Sequence, residues 1–221
     1  MNASEIAAAV SQPDLIPLIR HFLCDQLPPV SNSSSTATSP LPLPFFNKPL
    51  LVYTSAVATF YSPSDLCGTQ GMHRERIHAV PSWRRGPGHY DCIFVNIDPI
   101  PKAMCSLDIA HIWSFFSFRF HGEFYPCALV HWYSRIGDSP DEDTGMWRVC
   151  QDHNADGSPS AAVLHLDSLI HAAHLMGNIS YQRDYHQSTH LTYSNLTMST
   201  SSLIIIASKL HSSYSAGLAA T

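Results

Sequence analysis

The sequence predicts a mainly β protein of the α+β class. The expected architecture is a small antiparallel barrel or a twisted sheet of about five to six strands, with an N-terminal helix and a short C-terminal helix. Three observations carry this. Between residues 50 and 177 the chain is rich in β-branched and aromatic residues grouped in short runs. Two of the longest runs are joined by His121-Gly122 alone, a two-residue X-Gly loop that signals a hairpin. The flanks differ in composition, with Ser denser outside the centre and Pro clustering in 28–49.

In chain order, residues 4–25 read as helical. Ser4 is placed to cap the run 5–10. Asp14 precedes LIPLIRHFLCDQL, where Leu15, Leu18, Phe22 and Leu23 recur at helical spacing. Pro17 falls early in that segment, where proline is tolerated. Residues 28–49 (PPVSNSSSTATSPLPLPFFNKP) lack periodicity and read as a linker or a disordered stretch. Residues 51–61 form the first expected strand, and 62–71 (SPSDLCGTQG) are turn chemistry. Strands follow at 90–97, 109–120 and 123–133, then shorter ones at 146–150 and 161–166, joined by a loop that contains Asp156-Gly157. Ile112, Phe116, Phe118 and Phe120 share one parity, as do Phe124, Ala128, Val130 and Trp132. Each strand is therefore expected to carry one strongly apolar face. Pro126 marks an edge or a bulge. Asp167 reads as the N-cap of a short helix through Leu169, Ile170, Ala173, Leu175 and Met176, ended by Gly177. Residues 178–221 show no confident pattern. The organisation is thus a helical segment (1–27), a linker (28–49), a β-rich module (50–177) and a disordered or non-family tail (178–221).

The net charge of -5 argues against a chain-wide electrostatic grip on nucleic acid and leaves room only for a local basic patch. The six cysteines include no CxxC pair, so zinc-ribbon and dithiol redox motifs are not indicated. A reduced, buried set is expected. The N-terminus lacks the basic region of a secretory signal, and the late apolar stretch 203–207 is far short of the roughly 20 residues that span a bilayer. An intracellular protein with no membrane contact is expected.

The candidate sites are few. Asp152, Asn154, Asp156 and Gly157 match the first half of an EF-hand loop, but the twelfth position is Val163 rather than Glu and the flanks read as strands, which favours a hairpin turn. The acidic run 138–143 (DSPDED) reads as a solvated turn. His171 and His174 are three apart, with His165 nearby, but spacing fixes no third metal ligand. There is no GxSxG elbow, papain-like cysteine context or Gly-rich phosphate loop. No catalytic residue, cofactor site or metal site is therefore assigned. The main basic patch is 73–89 (HRERIHAVPSWRRGPGH). There Arg74, Arg76, Arg84 and Arg85 are interleaved with Trp83, a combination suited to phosphate contact and base stacking. The competing reading is a surface loop whose Trp83 packs on the sheet.

Three stretches carry a resemblance. They are FYSPSDLCGTQGMHRERIHAVPSWRRGPGHYDCIFVNID, LDIAHIWSFFSFRFHGEFYPCALVHWYSRIGDSPDEDTGMW and DGSPSAAVLHLDSLIHAAHLMG. In this order they resemble the C-terminal region of Plavaka-type, CACTA-like transposases of mushroom-forming (basidiomycete) fungi, over about residues 14–177. The resemblance implies that the DDE-type, metal-dependent catalytic core lies outside this region, so it assigns no catalytic residue here. It implies an accessory module for DNA or protein contact. The family's Gly-Met-Arg-Gly-Leu-Asp run reads Ala103-Met104-Cys105-Ser106-Leu107-Asp108 here, and residues 178–221 do not match the family's His-rich helical tail. A frame change or a misread intron would explain the tail, and both departures imply a decaying or truncated copy.

The leading expectation is a non-catalytic remnant that makes weak DNA or chromatin contact, in the nucleus, through Arg74, Arg76, Trp83, Arg84 and Arg85. The second is a protein-interaction module using the sheet edge near Pro126 and the acidic loop 138–143. The third is a metal-dependent enzyme using the histidines and that acidic loop.

Overall fold

The computed structural model describes residues 3–27, 43–61, 72–96, 107–142, 144–177, 204–206 and 217–220. Two helices, α1 (Ala3–Ala9) and α2 (Leu15–Gln26), precede an all-antiparallel set of strands. The first seven strands are β1 (Leu51–Tyr53), β2 (Ser55–Tyr61), β3 (Met72–Val80), β4 (His89–Tyr90), β5 (Cys92–Asn96), β6 (Leu107–Phe120) and β7 (Glu123–Arg135). Six shorter ones follow: β8 (Trp147–Gln151), β9 (Ala161–His165), β10 (Leu169–Ala173), β11 (Leu175–Gly177), β12 (Ile204–Ile206) and β13 (Gly217–Ala220). The strands form one nine-stranded and one four-stranded sheet. The protein is mainly β, as the sequence predicts. The described strands leave both sheets open, so a closed barrel is not formed, and they exceed the expected five or six.

The scaffold is the β6–β7 hairpin, paired from Ile109↔Tyr133 to Phe120↔Glu123. His121 and Gly122 both take positive φ, at 51° and 90°. That is the conformation a two-residue primed turn requires, and glycine adopts it without strain. Each long strand carries two partners in succession on its outer edge. β6 pairs with β5 along 107–111 and with β1 along 115–117. β7 pairs with β9 along 127–131 and with β8 along 133–135. β8 and β9 thus run as one line along β7, interrupted by the excursion 152–160. Within it the Asp156 carboxylate accepts from the Ser158 N–H (2.9 Å) and hydroxyl (2.6 Å), and Gly157 has φ 83°. This is turn chemistry rather than a cation loop.

Pro126 lies opposite Ser117, at a position that does not exchange hydrogen bonds with β6 if the alternation is counted from the turn. Its missing N–H therefore points to the outer edge, where β9 has already ended at Cys127. At Pro126 β7 is thus locally an edge, as the proline marks, although from Cys127 to Arg135 it is an interior strand.

The parity argument needs one correction. A register shift between Ile112 and Ser114 leaves Trp113 as the extra residue of a bulge. Ahead of the bulge Ala110 and Ile112 face the small sheet. Beyond it Phe115 does so, while Phe116, Phe118 and Phe120 face the helices. Ile112 is therefore on the opposite face from the three phenylalanines. β7 is apolar on both faces: Cys127 and Leu129 meet the helix layer, and Ala128 and Val130 meet Ala56, Ala58, Ile77 and Ala79 of β2 and β3. The result is three layers, helices over the large sheet over the small one.

α2 packs Leu15, Ile19, Phe22 and Leu23 into the upper layer, so the helical spacing read from the sequence is the buried face. Pro17 falls in its first turn. Phe22, Phe46 and Tyr125 surround Phe118 at ring separations of 5.0–6.5 Å. Of the stretch 28–49, residues 43–49 are described. Arg20 donates to the carbonyls of Pro44 (2.8 Å) and Leu43 (3.0 Å), and Phe46 is buried. The first turn region expected at 62–71 lies outside the described residues.

The expected C-terminal helix is not formed. Asp167 belongs to a 3-10 turn (Leu166–Ser168), and 169–173 pair with β5 as β10, with a bulge between Leu169 and His171. A helix of that length is marginal by itself, whereas β5 offers an open row of backbone donors and acceptors. Pairing there buries Leu169, Ile170 and Ala173, so tertiary context overrides the local pattern. In the C-terminal stretch, β12 bridges β8 and β11, and β13 extends β2.

Candidate functional site

The basic segment 73–89 is a β-hairpin rather than a loop throughout. β3 and β4 pair through Ala79↔Tyr90 and Val80↔His89. Within β3 the odd positions turn inward: Ile77 and Ala79 join the core, and Glu75 accepts from the Ala172 N–H at 3.0 Å. The even positions turn outward, so Arg74 and Arg76 are exposed on one face with His78. Arg76 Nη1 donates to Ser55 Oγ at 2.9 Å. The only acidic residue of the strand is thereby tucked under β10 and does not neutralise the outward arginines.

At the tip the Trp83 carbonyl accepts from the Gly86 N–H (2.8 Å), and the Trp83 N–H donates to the Pro87 carbonyl (3.0 Å). Arg84 and Arg85 are the two central residues of this turn, with φ 50° and 66°. A left-handed conformation costs a non-glycine residue roughly 1–2 kcal/mol, and such turns ordinarily take Asn-Gly. The turn places two successive arginines at the apex. Gly88 is required by close approach: a Cβ there would sit 2.6 Å from the Tyr90 ring and 3.1 Å from the Val80 carbonyl.

Trp83 is 38% exposed. Its ring lies 4.8 Å from His78 and 5.3 Å from His89, and Arg84 stands over it at 5.6 Å. The indole therefore packs on the base of its own hairpin while keeping an accessible portion. The five candidate residues fall in two groups: Arg74 and Arg76 on the outward face of the strand, and Trp83, Arg84 and Arg85 at the tip. From Arg76 to the strand end at Val80 is about 13 Å at the usual rise.

No protein family, curated protein or solved structure matches the chain. The reading of the site therefore rests on its geometry.

Below Trp83 lies a constellation that the sequence did not reveal. Continuing the β3–β4 register brings His78 opposite Asp91, the corner residue between β4 and β5. Asp91 Oδ2 accepts from the His78 N–H at 2.7 Å and lies 3.1 Å from His78 Nδ1. Asp91 Oδ1 lies 3.0 Å from His89 Nε2. The pair His89-x-Asp91 is visible as same-face spacing on a strand, but His78 joins it only through the hairpin register.

The histidines and the acidic loop weighed as ligands from the sequence do not converge among the described residues. His165 Nδ1 accepts from the Asp167 N–H at 3.3 Å, His171 sits between the rings of Phe60 and Phe94, and His174 is exposed. In the acidic loop Asp141 Oδ1 accepts from the Thr144 N–H and hydroxyl, as in a self-capped turn. Asp143 lies outside the described residues.

Cys92 and His111 face each other across β5 and β6. Burial and the Asp91 charge push the thiol up to about 12, and burial lowers His111. Burial thus disfavours the thiolate at this pair. No helix among the described residues is long and apolar enough to cross a membrane.

Proposed function

We propose that this chain is a non-catalytic, accessory nucleic-acid-contacting module of transposase-like lineage, acting through the outward face of the β3–β4 hairpin. The lineage rests on the ordered sequence blocks described above. The contact rests on one observation: two adjacent arginines held in left-handed conformations at a hairpin apex, beside a partly exposed tryptophan. Strain of this kind persists when surrounding structure enforces it, and it clusters where a surface is used. A two-stranded ribbon is narrow enough to enter a major groove, and arginine is suited to bidentate phosphate contact. The overall negative charge keeps the affinity weak and confines contact to this face. A nuclear location follows from this reading.

The test is fluorescence anisotropy of a labelled duplex over a salt series. Replacing Arg84 and Arg85 together with alanine should weaken binding and reduce the slope of log K against log salt by about 2, at roughly 0.9 per phosphate contact. A second variant, Arg84→Asn with Arg85→Gly, suits the turn. It should raise stability by roughly 1–2 kcal/mol through relief of strain while losing the same affinity. Wild-type protein that binds no duplex at low salt, or a double variant with unchanged slope, would overturn the proposal.

A further inference from the structure

We propose that His78, His89 and Asp91 form a binding site for a divalent transition-metal ion, with zinc as the best-matched class. Three potential ligand atoms, His78 Nδ1, His89 Nε2 and one Asp91 carboxylate oxygen, lie within 4.8 Å of one another. Among the described residues this is the one group of three or more His, Cys, Asp and Glu side chains arranged so. Ligands bound to zinc at 2.0–2.1 Å in a tetrahedron stand about 3.3 Å apart. Two nitrogen–oxygen separations, His78 Nδ1–Asp91 Oδ2 at 3.1 Å and His89 Nε2–Asp91 Oδ1 at 3.0 Å, are within a few tenths of that value, each to a different carboxylate oxygen.

The ligands are also set by backbone. His78 and His89 stand on paired strands, and Asp91 is the corner residue where the chain leaves the small sheet for the large one. The Asp91 N–H donates to the His78 carbonyl at 3.0 Å, and the Asp91 carboxylate receives the His78 N–H at 2.7 Å. The second bond orients the carboxylate from outside the cluster, as supporting hydrogen bonds do in metal sites. Each carboxylate oxygen is directed at a different imidazole, so a cation would engage all three groups either with the carboxylate bidentate or, with one oxygen, after a small rotation of the carboxylate.

Exposure supports an open site. The side chains of His78, His89 and Asp91 are 20%, 46% and 23% accessible. An ion can therefore enter from solvent and keep water in its remaining position, while Trp83 covers the two imidazoles from one side. A set of two imidazoles and one carboxylate selects borderline ions such as zinc, cobalt, nickel and copper over magnesium and calcium. Bound metal would clasp β3 to the start of β5 and fix the base of the hairpin that carries Arg84 and Arg85. The metal proposal does not depend on nucleic-acid binding.

The experiment uses the full chain and cobalt(II) as the spectroscopic probe, with zinc titrated calorimetrically. The expected result is one ion per chain, a visible cobalt band displaced by zinc, and quenching of tryptophan emission by cobalt that is lost in Trp83→Phe. His89→Ala, at an accessible side chain, should weaken zinc at least tenfold while the far-ultraviolet circular dichroism is unchanged. Asp91→Asn should do the same with the side-chain shape retained. His165→Ala with His174→Ala controls for adventitious binding by other histidines and should change nothing. Folded wild-type protein that gives neither a cobalt band nor a zinc isotherm would overturn the site. So would binding that survives His89→Ala but is lost in the His165/His174 control.

Discussion

Acid should loosen the docking of the N-terminal helices, and His131 should carry much of the effect. His131 is 6% exposed on β7, stacked on Trp113 at 5.0 Å, with Nε2 3.4 Å from Gln12 Oε1 in the α1–α2 connection. Trp113 Nε1 in turn donates to the Val10 carbonyl at 2.6 Å. Burial, with His111 and His153 nearby, lowers His131 from 6.5 to about 4. Because the unfolded chain takes up the proton first, stability is complete above about pH 6.5 and is lost as the pH falls toward 4. For those two values, moving from about pH 7.5 to about pH 5 costs about 2 kcal/mol, with partial solvent screening reducing it toward 1. At a urea m-value of about 2 kcal/mol per molar, this is a midpoint shift of about 0.5–1 M. His131→Phe keeps a flat ring against Trp113 and removes the titration. Urea unfolding of both proteins at the two pH values should show the variant's acid shift smaller by that amount. His111 and His171, also lowered by burial, account for what remains. A variant whose midpoint falls as far as the wild type's would refute the assignment.

Two further outcomes follow from the core. Phe118 is 2% exposed among Phe22, Phe46 and Tyr125. Phe118→Ala should cost about 3–5 kcal/mol by thermal or urea unfolding, since the cavity lies between two layers that cannot both collapse; a loss below about 1 kcal/mol would contradict the three-layer packing. Cys127 is wholly buried, and burial raises its thiol well above the ordinary range. Iodoacetamide should label Cys24, which is partly accessible, while sparing Cys127 until the chain unfolds; equal labelling rates in native protein would show that this face of β7 is open.

Much of the scaffold was legible because it is written in local chemistry. The α2 face follows from Leu15, Phe22 and Leu23 at helical spacing, and the β6–β7 hairpin from His121-Gly122, whose primed turn favours glycine. The misreadings share one cause. The pattern 169–176 satisfies a helix as well as a strand, and only the open edge of β5 selects the strand. The parity of 112–120 looked continuous because a bulge leaves no mark in composition, yet the extra residue Trp113 moves Ile112 to the other face. Of the candidate site, the arginines and Trp83 were identifiable by residue type. Their division between a strand face and a strained apex was not, since positive φ at Arg84 and Arg85 runs against their own preference.

By itself, the sequence determined a mainly β chain with an amphipathic helix at its start, one long hairpin, and a basic segment that carries a tryptophan. These depend on interactions between near neighbours: alternation, capping and turn geometry. The tertiary structure decided which edges are covered, which face each residue takes beyond a bulge, and that His78 meets His89 and Asp91. Those outcomes depend on register between strands, a long-range choice made by burial and backbone pairing over the whole fold.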